Sequence, residues 1–563
     1  MGPLRIGWRG LADLAGWLST LSTIYGGKYL LAVIFYNHIL KGFVLMYAYT
    51  SLDFVLRAYH VRGPKMQVLK SAALLPWVSK PILGVLSDVF PICGYRKNPY
   101  IIGATLVGVA SFAVIGFYGE ELTLEMAVAA FFGMSVQISS CDLMADAATA
   151  EKLRREPAHG PAMMAFVSAG TTVADIFATA TVGSVLERLG PRGPALVCIL
   201  PSALMLVPAA MNWLGDRPQQ ITETAAVRAN FSTQKEVLVL VLALGVGSCA
   251  LLAVSTAHVA LFTKLLLVGG LAVGIGGAFV GFLNPTLGLM NAFFFLQSMS
   301  AISVEGGSFY FFTDDPTSFP LGPHFSVWFY TTGLGLAGNV CGLVGLWIYS
   351  RHMTTWRYHS IFMVSNTLWC VVSAVNTLVF TRGNRQLGIP DHVFVLGGTV
   401  LQNVFERWTY VPGGVLLSQV CPPGMEATMF ALLAGCHNLG RSVASYLGAF
   451  LLTYLQIRPN GMPHEEVQFQ FLWKAAMCQA VAPLLTLWLL PRMIPNARQT
   501  ERIIDYRGEA ANSGSPWSRL RSAWDSGKQH PCEGGTGYGA ASSSPEEGDG
   551  ATGSSIGLGA NSA

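Results

Sequence analysis

Apolar residues gather into long runs, and the charged residues collect in the short segments between them. About 20 consecutive apolar residues cross the hydrocarbon core of a bilayer as a helix. On that measure the first part of the chain predicts six spans: Tyr29 to Thr50, Val68 to Leu86, Tyr100 to Tyr118, Leu122 to Ala150, Pro161 to Leu186 and Pro194 to Leu214. A polar stretch, Gly215 to Glu236, follows, and then two nearly charge-free runs, Val237 to Ser255 and Leu265 to Leu283. After Asn284-Pro285 come six more: Thr286 to Phe312, His324 to Tyr349, Tyr358 to Phe380, Val393 to Val420, Glu426 to Leu455 and Phe471 to Leu490. The pattern predicts an all-α polytopic membrane protein in a six, two, six order.

Composition agrees. Of 563 residues, 52% are apolar and only 12% are charged, against roughly 25% charged in a soluble domain. A soluble enzyme is excluded. The net charge of +4 is mild and spread over short loops, so nucleic acid is not an expected partner. Ten cysteines stand singly without CxxC spacing and read as packing residues, not as a disulfide framework or metal site. Neither a signal-peptide pattern nor a myristoylation pattern is present at the start, so attachment is expected through the spans.

Lys and Arg in the short loops set orientation. With both termini inside, inner loops outweigh outer loops in Lys and Arg by roughly two to one, which predicts cytoplasmic termini. The sequon Asn230-Phe-Ser232 then faces the cytoplasm. The expected organisation is a cytoplasmic segment 1–28, a six-helix bundle 29–214, a linker with two extra spans 215–285, a second six-helix bundle 286–490 and a cytoplasmic, largely disordered tail 491–563. The Gly- and Ser-rich composition of Gly508 to Ala563 is the reason for the last expectation. An internal echo supports duplicated halves: placing Met164 on Met429 also superposes Pro157 on Pro422, Ala169 on Ala434, Gly170 on Gly435 and Gly183 on Gly448.

Charges inside spans are expensive and need partners. Pro76-Trp-Val-Ser-Lys80-Pro-Ile-Leu-Gly84-Val-Leu-Ser-Asp88, followed by Gly94-Tyr-Arg96, has the form of a gating loop. In that reading Gly84 permits close helix approach while Asp88 and Arg96 form an ion-pair latch; a loop serving topology alone is the alternative. Asp142 and Asp146 are four residues apart, on one helical face, deep in a span. They read as a substrate or proton site facing a central cavity, the alternative being a structural ion pair with Lys80 or Lys41. Asp175, Glu305, Glu406, Arg407, His437, Asn438 and Arg441 are further polar groups within spans, and Lys474 near a helix end reads as snorkelling. His38 and His437 receive no role.

Taken in order, Pro76 to Asp88 with Gly94-Tyr-Arg96, Asp142 to Glu151, and Val411-Pro412 through Cys421-Pro-Pro-Gly424-Met-Glu426-Ala-Thr428 to Asn438 resemble the folate–biopterin transporter family of the major facilitator superfamily. Phe309-Tyr-Phe-Phe-Thr-Asp314 and Gly322-Pro-His-Phe325 resemble its kinetoplastid branch. The resemblance runs from about Tyr29 to Leu490 and departs from the family in the two extra spans and in the charge at Arg441. It implies two six-helix bundles that rock about a central site, and secondary active uptake of pterins such as biopterin or folate, coupled to protons. Another solute such as S-adenosylmethionine is the alternative within the family, and a non-transporting receptor or scaffold the alternative outside it.

Pterin chemistry suits the residues. An amino group beside a ring N–H matches a carboxylate through two parallel hydrogen bonds, and the glutamate tail of folate matches Lys or Arg. Asp142, Asp146 or Glu406 supply the first; Lys41, Lys80, Arg407 or Arg441 the second, with Asn438 nearby. Asp142, Asp146 and Asp175 are the candidates for the coupling proton. No P-loop, metal-ligand cluster or nucleophile elbow is visible, so no cofactor, metal or catalytic residue is expected. The expected location is the plasma membrane, with substrate and lipid as partners.

Overall fold

The computed structural model describes residues 15–156, 159–219, 225, 235–257, 259–419, 426–499, 501 and 512–528. The sequon, Cys421 to Gly424 and the tail beyond 528 lie outside them. Among the described residues there are no β-strands, only isolated bridges at Ile92–Tyr95 and Arg357–Arg498.

Prolines mark many helix starts, where a missing N–H leaves nothing unsatisfied. Pro64, Pro99, Pro161, Pro194 and Pro285 each occupy a first turn. The first half comprises α1 (Gly27–Ala58), α2 (Gly63–Ala73), α3 (Lys80–Val89), α4 (Asn98–Tyr118), α5 (Leu124–Arg155), α6 (Gly160–Leu189) and α7 (Gly193–Ala210). Then come α8 (Lys235–Thr256) and α9 (Leu261–Phe282). The second half comprises α10 (Pro285–Ser300), α11 (Glu305–Thr313), α12 (Phe329–Met353), α13 (Tyr358–Val379), α14 (Asp391–Gln419), α15 (Glu426–Tyr454) and α16 (Leu472–Met493). Last is α17 (Pro516–Lys528).

Eleven helices among the described residues are long and apolar enough to cross a membrane, where the sequence pattern predicts fourteen spans. The difference has physical causes. The second predicted span is interrupted between α2 and α3 by a 3-10 turn at Leu75–Trp77. Helices α14 and α15 form where predicted but carry Glu406, Arg407, His437, Asn438 and Arg441 in their middles. The seventh predicted main span is among the eleven but contains a break, at Ala301–Val304, between α10 and α11.

Helices also form in both terminal segments. A helix covers 15–25 within the segment expected to be cytoplasmic, and it buries Leu21 and Tyr25. In the tail, α17 forms because Ser515 caps it, its Oγ accepting from the Ser518 N–H at 3.1 Å, just before Pro516.

The pair α8–α9 packs on α10 and α15 of the second half, and α8 also touches α2 and α3 of the first. Tyr446 of α15 donates to Leu251 O of α8 at 2.9 Å. The halves meet along two seams: α2 and α3 against α15, and α6 against α12. Gly183 and Gly448, equivalent in the internal repeat, sit one on each seam. A Cβ at Gly183 would lie 2.6 Å from Thr332 Oγ1, and one at Gly448 would lie 2.7 Å from Gln67 Nε2.

Call the end holding Gly27 and Met493 the terminal end, and the opposite end distal. The distal end is sealed. Gly63 and Gly306 touch through bare backbone, a Cβ on Gly306 falling 1.9 Å from Gly63 O. Around them Gln67 Nε2 donates to Ser303 O and Ser445 O at 3.0 and 2.8 Å, and Tyr310 donates to Val61 O at 2.6 Å. Gly63 N–H also reaches Pro459 O at 2.8 Å.

Candidate functional site

Helix α1 widens into a π-helical stretch at Ile34–Val44, a local irregularity that often marks functional positions. His38 and Lys41 lie in it. The imidazole of His38 packs against Gly170 of α6 and contacts Phe166 O at 3.2 Å, which accounts for it structurally. Lys41 projects toward α5, where its Nζ lies 2.7 Å from Asp142 Oδ1. Lys80, at the start of α3 after the 3-10 break, binds the other carboxylate oxygen of Asp142 and lies over the Trp77 ring at 4.2 Å.

Asp142 is thus buried between two lysines, and both structural alternatives named for it are realised together. The lysines differ: the Lys41 side chain is 34% exposed and that of Lys80 only 11%. Asp146, one turn along α5, is exposed and makes no ion pair or hydrogen bond with a described residue. Tyr410 of α14 is exposed and near enough to Lys41 to interact electrostatically. The cluster therefore faces the second half across space.

The second half contributes a more scattered set. Glu406 is exposed, and Arg407, about 100° around the helix, lies against Gly342 of α12, a Cβ there falling 3.2 Å from its Nε. Arg407 is also the cation that Asp175 of α6 senses, while Asn339 of α12 donates to Asp175 Oδ2 at 3.2 Å. Asn438 reaches the 3-10 turn between α2 and α3, donating to Trp77 O at 3.3 Å. Arg441 is exposed, within electrostatic reach of Tyr49 and His437.

The latch residues come together, though not as a contact between halves. Arg96 Nη1 lies 3.5 Å from Asp88 Oδ1 and its Nη2 3.9 Å from Glu151, which Lys97 binds at 2.7 Å. All belong to the first half. Gly84 is not the point of close approach, since a Cβ there would meet only Leu143 Cδ2 at 3.7 Å. That role falls to Gly435, where a Cβ would lie 2.9 Å from Val78 O and 3.2 Å from Pro81 Cγ.

Sequence reasoning missed a third cluster. Lys70 of α2 is buried, with its Nζ 3.0 Å from Asp53 of α1 and 2.5 Å from Glu305 of α11. Lys70 lies inside the predicted second span, so counting charges within spans would have found it; Asp53 falls just past the predicted end of the first. At the distal mouth Arg57 Nη2 lies 3.1 Å from Asp314 Oδ1.

A sequence model of the BT1 family matches residues 41–513. The chain is 26% identical over 457 residues to a folate-biopterin transporter of Synechocystis sp., covering 81% of this chain and 79% of that one. It is 24% identical over 438 residues to a probable folate-biopterin transporter 6 of Arabidopsis thaliana, covering 77% and 78%. Folate transporter 2 of Plasmodium falciparum is 23% identical over 442 residues, covering 76% and 80%. Among solved structures, a POT peptide transporter in complex with sulfate superposes with a TM-score of 0.57 at 14% identity, covering 84% of this chain and 96% of that one. A D-xylose–proton symporter gives 0.50 at 13%, covering 86% and 99%. These structures are similar in fold.

Proposed function

The chain belongs to the BT1 family and is a membrane transporter with a major-facilitator-type fold, not an enzyme; from that premise we propose that its cargo is a pterin, biopterin or folate, imported by alternating access with protons as the coupling ion. The observation that carries this reading is the Lys41–Asp142–Lys80 cluster with Asp146 left open beside it. One ligand reaching Lys41 and Asp146 together meets a cation and a free carboxylate. Folate fits that pair: its tail carboxylates compete with Asp142 for the more exposed lysine, and its pterin amino group and ring N–H donate to Asp146.

Biopterin lacks the tail and uses Asp146 alone. S-adenosylmethionine, a sulfonium cation, has less use for a site with two lysines. With cytoplasmic termini, the sealed distal end is the outer end and this conformation is open to the cytoplasm. Release is then toward the cell interior, and import requires the distal seal to part. The plasma membrane is the location that suits uptake of an external solute.

The test is uptake of labelled folate and biopterin into liposomes containing only this protein, with a proton gradient imposed and then collapsed. Accumulation of either that falls with the gradient supports the reading. Uptake of S-adenosylmethionine alone would replace the cargo, and no uptake of any solute would favour the scaffold.

A further inference from the structure

The central cleft gives the Phe309 to Asp314 motif no task. Its last residue ends α11 at the distal mouth, just outside the membrane-spanning segment. The Asp314 side chain is 0% exposed. Among the described residues its ion-pair partner is Arg57, which comes from the other half, at the end of α1.

That contact is poorly made. Arg57 Nη1 is committed to Thr313 O and Oγ1 at 2.9 and 2.6 Å. Its Nη2 approaches Asp314 Oδ1 to 3.1 Å, yet neither carboxylate oxygen accepts a hydrogen bond. The Gly461 backbone covers the carboxylate, a Cβ there falling 3.8 Å from Oδ1. Glu465, in the loop before α16, and Asp315 add negative charge nearby. Tyr310 gives its hydroxyl to Val61 O, and His324 Nδ1 lies 2.8 Å from the backbone carbonyl of Asp314, not from its carboxyl. A buried carboxylate held by one misaligned cation gives up its charge more readily than one in water.

We propose that Asp314 is a proton-binding site of the distal gate, loaded from the distal side as the halves close and emptied as they part. This deepens the transporter reading and rests on it for the direction of transport. Burial pushes the Asp314 carboxyl up to about 7; Arg57 opposes the rise, and Glu465 and Asp315 add to it.

The sign follows from linkage. Once the gate opens and water reaches it, the carboxyl returns toward the ordinary aspartate value of about 3.9. Between about pH 4 and 7 the closed gate therefore holds a proton that the open gate has lost, so acidification favours closure. Across that window the closed-to-open ratio changes by up to about tenfold per pH unit. In an importer a proton from outside is thus taken up as the outer gate shuts.

The experiment uses the full chain in lipid nanodiscs without substrate. Dyes are placed through non-natural amino acids at Glu121 and Leu321, one exposed distal position in each half, and their separation is followed from about pH 4.5 to 8.5. The expected result is a closed population that falls as pH rises through about 7, a D314N protein closed throughout, and an E465Q protein whose midpoint moves to lower pH. A separation independent of pH, opening on acidification, or an unchanged midpoint in D314N overturns the proposal. Should D314N fail to fold, an unchanged midpoint in E465Q overturns it instead. Because no substrate is present, a chain that fails to carry pterins but still shows this gate loses the cargo reading and keeps the proton site.

Discussion

Lys70 and Glu305 form an ion pair across the seam between the two halves, Nζ to Oε1 at 2.5 Å, while Lys70 also holds Asp53 of its own half at 3.0 Å. One cation thus serves two carboxylates. Parting of the distal end separates Lys70 from Glu305 but leaves it with Asp53, so the pair contributes to closure without leaving the lysine bare on opening. Breaking a buried pair by removing one partner costs about 3–5 kcal/mol. Glu305, with its side chain 43% exposed, gives less than that.

The two variants should therefore differ. Glu305→Gln is expected to shift the protein toward a distal-open state with little loss of stability. Lys70→Met should lower thermal stability as well, because Asp53 and Glu305 are then left together without a cation. Distal label separations and melting temperatures check both, and equal effects on stability would remove the asymmetry argued here.

Closure also depends on bare backbone. A methyl on Gly306 would stand 1.9 Å from Gly63 O, too close for any small adjustment. Gly306→Ala should hold the distal end apart and abolish net transport while leaving the protein folded, since opening relieves the clash. Reaction of a cysteine introduced at Gln67, buried in the seal, with a water-soluble maleimide should become fast in this variant. A seal that stays unreactive would show that the halves close without this contact.

Much of this architecture is legible from hydrophobic run length alone, because a helix in lipid must satisfy its own backbone. Helices form over the predicted apolar runs, eleven of them among the described residues long and apolar enough to cross a membrane. Run length gives no sign of the breaks at Leu75–Trp77 and Ala301–Val304, since the residues there are no less apolar than their neighbours. Asp142 stood out as a carboxylate in mid-span, but its sharing between Lys41 and Lys80 depends on the π-helical widening of α1 and on the break before α3. Both are tertiary effects. Gly84 draws the close-approach reading because it lies beside charges, whereas close approach is decided by which face meets α15.

Lys41 and Lys80 touch one carboxylate yet should not be interchangeable. Lys41 is the more exposed of the two and can leave Asp142 for a ligand. Lys41→Gln is expected to raise KM for folate about 10- to 100-fold, the loss of one charged hydrogen bond of about 1.5–3 kcal/mol, with biopterin little affected. Lys80→Gln should instead lower stability and hurt both substrates alike. Transport kinetics with the two pterins decide it, and equal discrimination by both variants would return the cluster to a purely structural role.

The internal repeat places Asp175 on Gly440, so Arg441 occupies nearly the position of Asp175 in the opposite half. The two do not pair in this conformation. Asp175 is held by Asn339 at 3.2 Å and senses Arg407, which sits on α14 opposite α6, whereas Arg441 stays exposed beside α2. An exposed guanidinium with no ion pair among the described residues is suited to an anionic ligand, which favours substrate contact over an ion-pair role. Arg441→Ala should therefore weaken folate uptake about tenfold, near the lower end for a charged hydrogen bond, and leave biopterin nearly unchanged. Arg407→Ala should instead act on both, because it removes the cation nearest Asp175 at the α6–α12 seam. A charge-swapped Asp175→Arg, Arg441→Asp protein is expected to stay inactive. Recovery of transport in that double variant would mean that the two side chains meet when the terminal end closes, and the ligand role assigned to Arg441 would then fall.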